Sequence, residues 1–174
     1  MIPIQARMLN GLEWRQPAAF SRTYELKSGD SVLAGLAFQK VFGTLARAWT
    51  AGAAWTFKRA GFLTPVVTVR AEGSETDIAT YHPNWTGNKG LLQLPGGERM
   101  EFRTTSFWAG EWALHDAQGA EVLRFHNKGL LHHGANVEVS EVGKARADIA
   151  LLLALCWYIL VLHMQDSPAV AVSG

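Results

Sequence analysis

Cysteine is nearly absent. Cys156 is the only one in 174 residues, so no intramolecular disulfide can staple the fold, which fits a reducing compartment. Net charge is nearly absent too. Sixteen Lys and Arg against fifteen Asp and Glu leave a formal charge of +1. That supplies no global field toward nucleic acid or an anionic membrane, so any electrostatic site must come from local clustering. The opening residues MIPIQARMLNGLEWRQ lack the basic region and apolar core of a signal peptide, and a cytoplasmic location is expected. No apolar run reaches the length of about 20 residues that a spanning helix needs. The chain has no G-x-S-x-G elbow, Walker loop, dinucleotide fingerprint or acidic calcium loop. With none of these, the expectation is a non-enzymatic binding or scaffold protein with no cofactor, against the alternative of an enzyme whose site matches no known motif.

What is present is one unbroken apolar segment, Ile149 to Leu162. It has no polar stripe, and a helix apolar on every side must be buried on every side. Fourteen residues suit a buried core helix better than a membrane span. At about 1.5 Å per residue it reaches roughly 21 Å. Leu153, Leu155, Cys156, Trp157 and Leu160 are expected as its core residues, over a helix of about 147–163. A tail-anchored protein using this segment as its span is the competing reading.

Most of the remaining chain reads as short strands. Candidates are Met8–Trp14, Ser21–Lys27, Ser31–Phe38, Thr44–Thr50, Ala53–Arg59, Pro65–Arg70, Asp77–His82, Gly90–Leu94, Arg99–Arg103, Phe107–His115, Glu121–His126 and Asn136–Val142. Turn signals separate them: Ser28-Gly29-Asp30, Pro95-Gly96-Gly97 and Asp116-Ala117-Gln118-Gly119. Leu45 to Trp49 also suits a helix. About twelve strands followed by one buried helix imply a mainly β protein. The expected form is a closed barrel of about twelve strands around a central C-terminal helix. Barrel diameter grows with strand number, and twelve strands leave room for a helix about 10 Å across. One domain spanning residues 1–174 is expected, with 167–174 as a tail.

This order of elements resembles the tubby C-terminal-like superfamily, of the phospholipid scramblase and LURP-one-related type, and suggests a small bacterial member. The stretches that carry the resemblance are FWAGEWALHDAQGAEVLRF, NVEVSEV and IALLLALCWYILVL. It implies a twelve-stranded barrel threaded by a hydrophobic helix. Tubby domains bind phosphoinositides through exterior basic residues, and scramblases are linked to lipid movement and calcium. The expected partner is therefore an anionic phospholipid or an unidentified protein, met peripherally at the membrane, and not nucleic acid. The tubby basic motif has no residue-by-residue counterpart here.

Lys58, Arg59 and Arg70 form the best local basic cluster for a lipid phosphate, against solvated strand ends as the plainer reading. His126, His132 and His133 are of metal-ligand type. Zinc needs three or four ligands converging on one point, and adjacent His132 and His133 point apart in an extended segment, so no metal is expected. Glu111, Asp116 and Glu121 read as a charged, solvated turn. Trp108 and Trp112, four apart, share a strand face and read as packing residues. Asn84-Trp85-Thr86 matches a glycosylation sequon that carries no weight without secretion.

Overall fold

The structure, a computed structural model, describes residues 1, 3–106, 110–128 and 134–167. Twelve strands follow in chain order: β1 (Leu12–Arg15), β2 (Thr23–Ser28), β3 (Ser31–Phe38), β4 (Ala46–Thr50), β5 (Ala54–Ala60), β6 (Val66–Ala71), β7 (Asp77–Pro83), β8 (Lys89–Gln93), β9 (Arg99–Ser106), β10 (Glu111–His115), β11 (Glu121–Asn127) and β12 (Ala135–Val139). Each pairs antiparallel with the next, and β12 closes the barrel on β1. A short helix α1 (Glu141–Lys144) and a long helix α2 (Ile149–Asp166) follow the strands.

Local chemistry explains the strand ends. Gly29 takes the positive φ of 56° that the β2–β3 turn requires, where a side chain would be strained. In the β10–β11 turn the Asp116 carboxylate accepts from the Gln118 and Ala120 amides at 3.0 and 2.8 Å, closing the loop on itself. The expected strand from Met8 begins only at Leu12, because Ala6–Met8 is a 3-10 turn and Gly11 bends the chain at φ 62°. The expected strand to Val142 stops at Val139. Ser140 accepts from the Gly143 amide at 3.1 Å and starts α1 instead, as an N-cap does. Leu45 to Trp49 is strand, not helix. Residues 107–109 of the expected tenth strand, and 168–174 of the tail, lie outside the described residues.

Strand side chains alternate between the two faces. Trp14, Tyr24, Leu26, Leu36, Phe57, Val69, Phe102, Leu114, Phe125 and Val137 are buried and line the interior. Glu25, Lys27, Arg47, Lys58, Arg103, Arg124 and Glu138 alternate with them. The barrel therefore presents charge outward, where a membrane-spanning barrel carries an apolar band.

Helix α2 fills the interior, and every residue from Leu151 to Leu162 is buried. Leu153, Leu155, Cys156, Trp157 and Leu160 all have zero exposure. The helix is long and apolar enough to cross a membrane by length and composition, yet here it is enclosed by strands. Trp157 stacks on Trp14 with ring centroids 5.8 Å apart, and Tyr24 meets it edge-on at 5.6 Å. Tyr158 stacks on Phe38 at 5.5 Å and packs on Phe57 at 5.3 Å. Its hydroxyl donates to the Thr44 carbonyl at 2.6 Å, so the one polar atom of that ring is satisfied. Arg146 anchors the helix start. It makes bidentate contacts with Glu98 at 2.7 and 2.9 Å and with Asp148 at 2.8 Å.

Candidate functional site

An antiparallel meander puts alternate loops at opposite ends. One end, called the rim here, collects the loops β1–β2, β3–β4, β5–β6, β7–β8, β9–β10 and β11–β12. The C-terminal end of α2 reaches the same rim, where Arg22 on the β1–β2 loop donates to Gln165 at 3.3 Å and Arg59 pairs with Asp166.

The two ends differ in chemistry. Eight large hydrophobic side chains are exposed among the described residues, and six stand on rim loops: Phe20, Val41, Phe42, Phe62, Leu63 and Trp85. Phe20, Phe62 and Trp85 are exposed by 102, 97 and 96%, so none of them is part of the core, although Trp85 also borders a cleft. Phe20 is also the one non-glycine described residue with positive φ, 62°, a conformation that costs a bulky side chain roughly 1–2 kcal/mol. Four separate loop tips thus hold their apolar side chains away from the protein.

Charge follows the same division. The described residues of the rim loops, 16–22, 39–45, 61–65, 84–88, 110, 128 and 134, carry Arg22, Lys40 and Lys128 and no Asp or Glu. The five hairpin loops of the far end carry Asp30, Glu72, Glu75, Glu98 and Asp116 and no Lys or Arg. The net charge of +1 therefore hides a polarised barrel. Near the rim, Glu13 pairs with Lys128 at 2.8 Å and Glu111 with Arg124 at 3.1 Å. Hydrogen bonding to Lys128 holds the Glu13 carboxyl below its usual range.

The three basic residues expected to gather do not converge. Lys58 and Arg70 face outward, while Arg59 follows Phe57 on the inward face of β5. The pairs Lys58–Thr68 and Thr56–Arg70 set Arg70 two positions further from the rim than Lys58. Arg70 is held by Asp77 at 2.6 Å and Arg59 by Asp166. Lys58 is exposed and has no ion-pair partner among the described residues.

The other candidates resolve simply. Glu111 and Glu121 both bind Arg124 on the barrel exterior, and Asp116 closes its turn. His126 lies 3.1 Å from Glu111 and 3.4 Å from Glu138. His132, His133 and Trp108 fall outside the described residues. Trp112 packs inward on Phe102. No group of three potential metal ligands occurs among the described residues. Asn84 bonds Thr86 and Asn88, both at 2.8 Å, and shapes the loop that presents Trp85.

Beneath the rim is a cleft of about 390 Å³. It arises because α2 packs most closely against β3, β4 and β5, leaving space on the side of β6, β7 and β10. Val67, Tyr81, Pro83, Trp112, Ile159 and Leu162 line it, with Arg59, His163 and Asp166 around them. Burial holds the His163 imidazole below its ordinary pKa, opposed by Asp166; the ring is edge-on to Trp112 at 5.0 Å.

No protein-family model, curated protein or solved structure matches this chain.

Proposed function

We propose that this barrel is a non-enzymatic binding domain that docks its rim on an anionic phospholipid surface. One observation carries the reading: six exposed large hydrophobic residues and an all-basic set of loop charges share one end. Aromatic side chains on loop tips suit the headgroup region, where an amphipathic ring keeps one edge wet. Each basic residue near an anionic surface adds about 1 kcal/mol, and Lys40 and Lys58 offer such charge. The acidic far end would be repelled, which fixes the orientation. Membership of the tubby-like superfamily rests on the sequence pattern alone, and rim docking does not depend on it.

The test is co-sedimentation with phosphatidylserine-containing and with purely phosphatidylcholine vesicles. The wild-type chain should sediment with the first, and less so as salt rises, since the Debye length is about 8 Å at physiological strength. A Phe42→Ser, Phe62→Ser, Trp85→Ser variant should remain folded, its substitutions being exposed, and stay in the supernatant. Equal sedimentation of the two proteins would remove the rim as the docking surface.

A further inference from the structure

We propose that the cleft beneath the rim binds a single-chain amphiphile, an apolar hydrocarbon chain ending in an anionic oxygen headgroup such as a fatty-acid carboxylate. Its delivery from a membrane rests on the rim-docking reading, while its binding chemistry stands independently.

The lining argues the class. Val67, Pro83, Trp112, Ile159 and Leu162 make the walls apolar, and a site of this size with apolar walls and few polar groups is the ordinary form of a small-molecule pocket. The polar groups are specific. Tyr81 is only 3% exposed, and its hydroxyl has no hydrogen-bond partner among the described residues. Its ring lies over Gly90, where any side chain would collide with it. Gly90 sits opposite Pro83 and Leu92 opposite Tyr81, so the ring and its hydroxyl lean toward the rim. Tyr81 lines the cleft, and its hydroxyl can donate to an incoming acceptor oxygen. Arg59, on the cleft wall, supplies a guanidinium whose other side is held by Asp166. A donor hydroxyl and a guanidinium favour an acceptor oxygen, with Asp166 on the same wall offsetting part of the guanidinium charge, and the apolar wall favours a hydrocarbon body.

The experiment titrates the full chain with dodecanoate below its micelle-forming concentration, read by calorimetry and by fluorescence of Trp85 and Trp112, both on the cleft. Saturable one-to-one binding is expected, and dodecylammonium should bind at least tenfold more weakly. Tyr81→Phe keeps the ring and should weaken dodecanoate binding about tenfold. Val67→Trp should fill the cleft and abolish binding while vesicle sedimentation persists. Phe42→Ser with Phe62→Ser, neither of them a lining residue, should do the reverse. Absence of saturable binding, equal binding of the cationic amphiphile, or indifference to Tyr81→Phe would each overturn the proposal. Loss of vesicle binding alone would count only against the rim.

Discussion

Arg59 and Asp166 lie 107 residues apart in sequence and meet in a two-point ion pair at the barrel rim. The arginine comes from the inward face of β5 and the aspartate from the last turn of α2. The pair ties the free end of the central helix to the wall. It also withdraws Arg59 from the exterior, where the adjacent Lys58 remains.

Removing Asp166 should have two opposite effects. The pair is partly exposed, 27 and 53%, so Asp166→Asn should cost no more than about 1 kcal/mol of stability. It should also free one positive charge at the rim and tighten binding to anionic vesicles by about 1 kcal/mol, roughly fivefold. Thermal melting reads the first effect and vesicle titration the second. Unchanged or weaker vesicle binding would show that the rim charge is irrelevant.

Core substitutions in α2 should be severe. Leu153 has zero exposure, so Leu153→Ala should cost about 2–5 kcal/mol. Leu153→Asp should abolish the cooperative melt, because an unpaired charge would be buried. Ending the chain at Asp148 should do the same by leaving the barrel unfilled. A truncated chain that melts like the wild type would refute the role of α2 as the core.

Cys156 should be inert. Burial pushes its thiol well above the ordinary range, which suppresses the reactive thiolate. A thiol reagent should label the native protein only as fast as the barrel opens, and the denatured protein at once. Equal rates in the two states would contradict full burial.

Acid should weaken the fold through His163. Its folded pKa is lowered, chiefly by burial, so below the unfolded value of about 6.5 the unfolded chain binds the proton more readily. Stability attributable to this residue is therefore full above that value and is lost as pH falls through the window down to the folded pKa. His163→Gln should flatten the stability profile across that window, measured by denaturant titration at stepped pH. A profile identical to the wild type would remove His163 as a contributor.

The barrel and its filling were legible because each rests on local periodicity. Ser31–Phe38 matches its strand at both ends, since Gly29-Asp30 turns the chain before it. The apolar run marked α2, but the helix continues through His163, Met164 and Gln165 to Asp166. Polar residues at an exposed last turn leave no hydrophobic signature. The separation of Lys58 from Arg59 was available from the two-residue period of a strand, with Phe57 marking the inward face. The rim needed more. Phe20, Phe42, Phe62 and Trp85 are scattered over 66 residues of sequence, and only loop parity in a closed meander brings them to one end. The cleft was not legible at all, because it depends on which wall α2 packs against.

Orientation at the membrane is the most direct test of rim docking. Leu63→Cys on the rim and Gln118→Cys on the far end, both exposed, can each carry one environment-sensitive dye, since Cys156 is buried. On adding phosphatidylserine vesicles, the dye at position 63 should shift to the blue and become shielded from an aqueous quencher. The dye at position 118 should keep its spectrum and stay accessible. The same response at both positions, or none at position 63, would contradict the account.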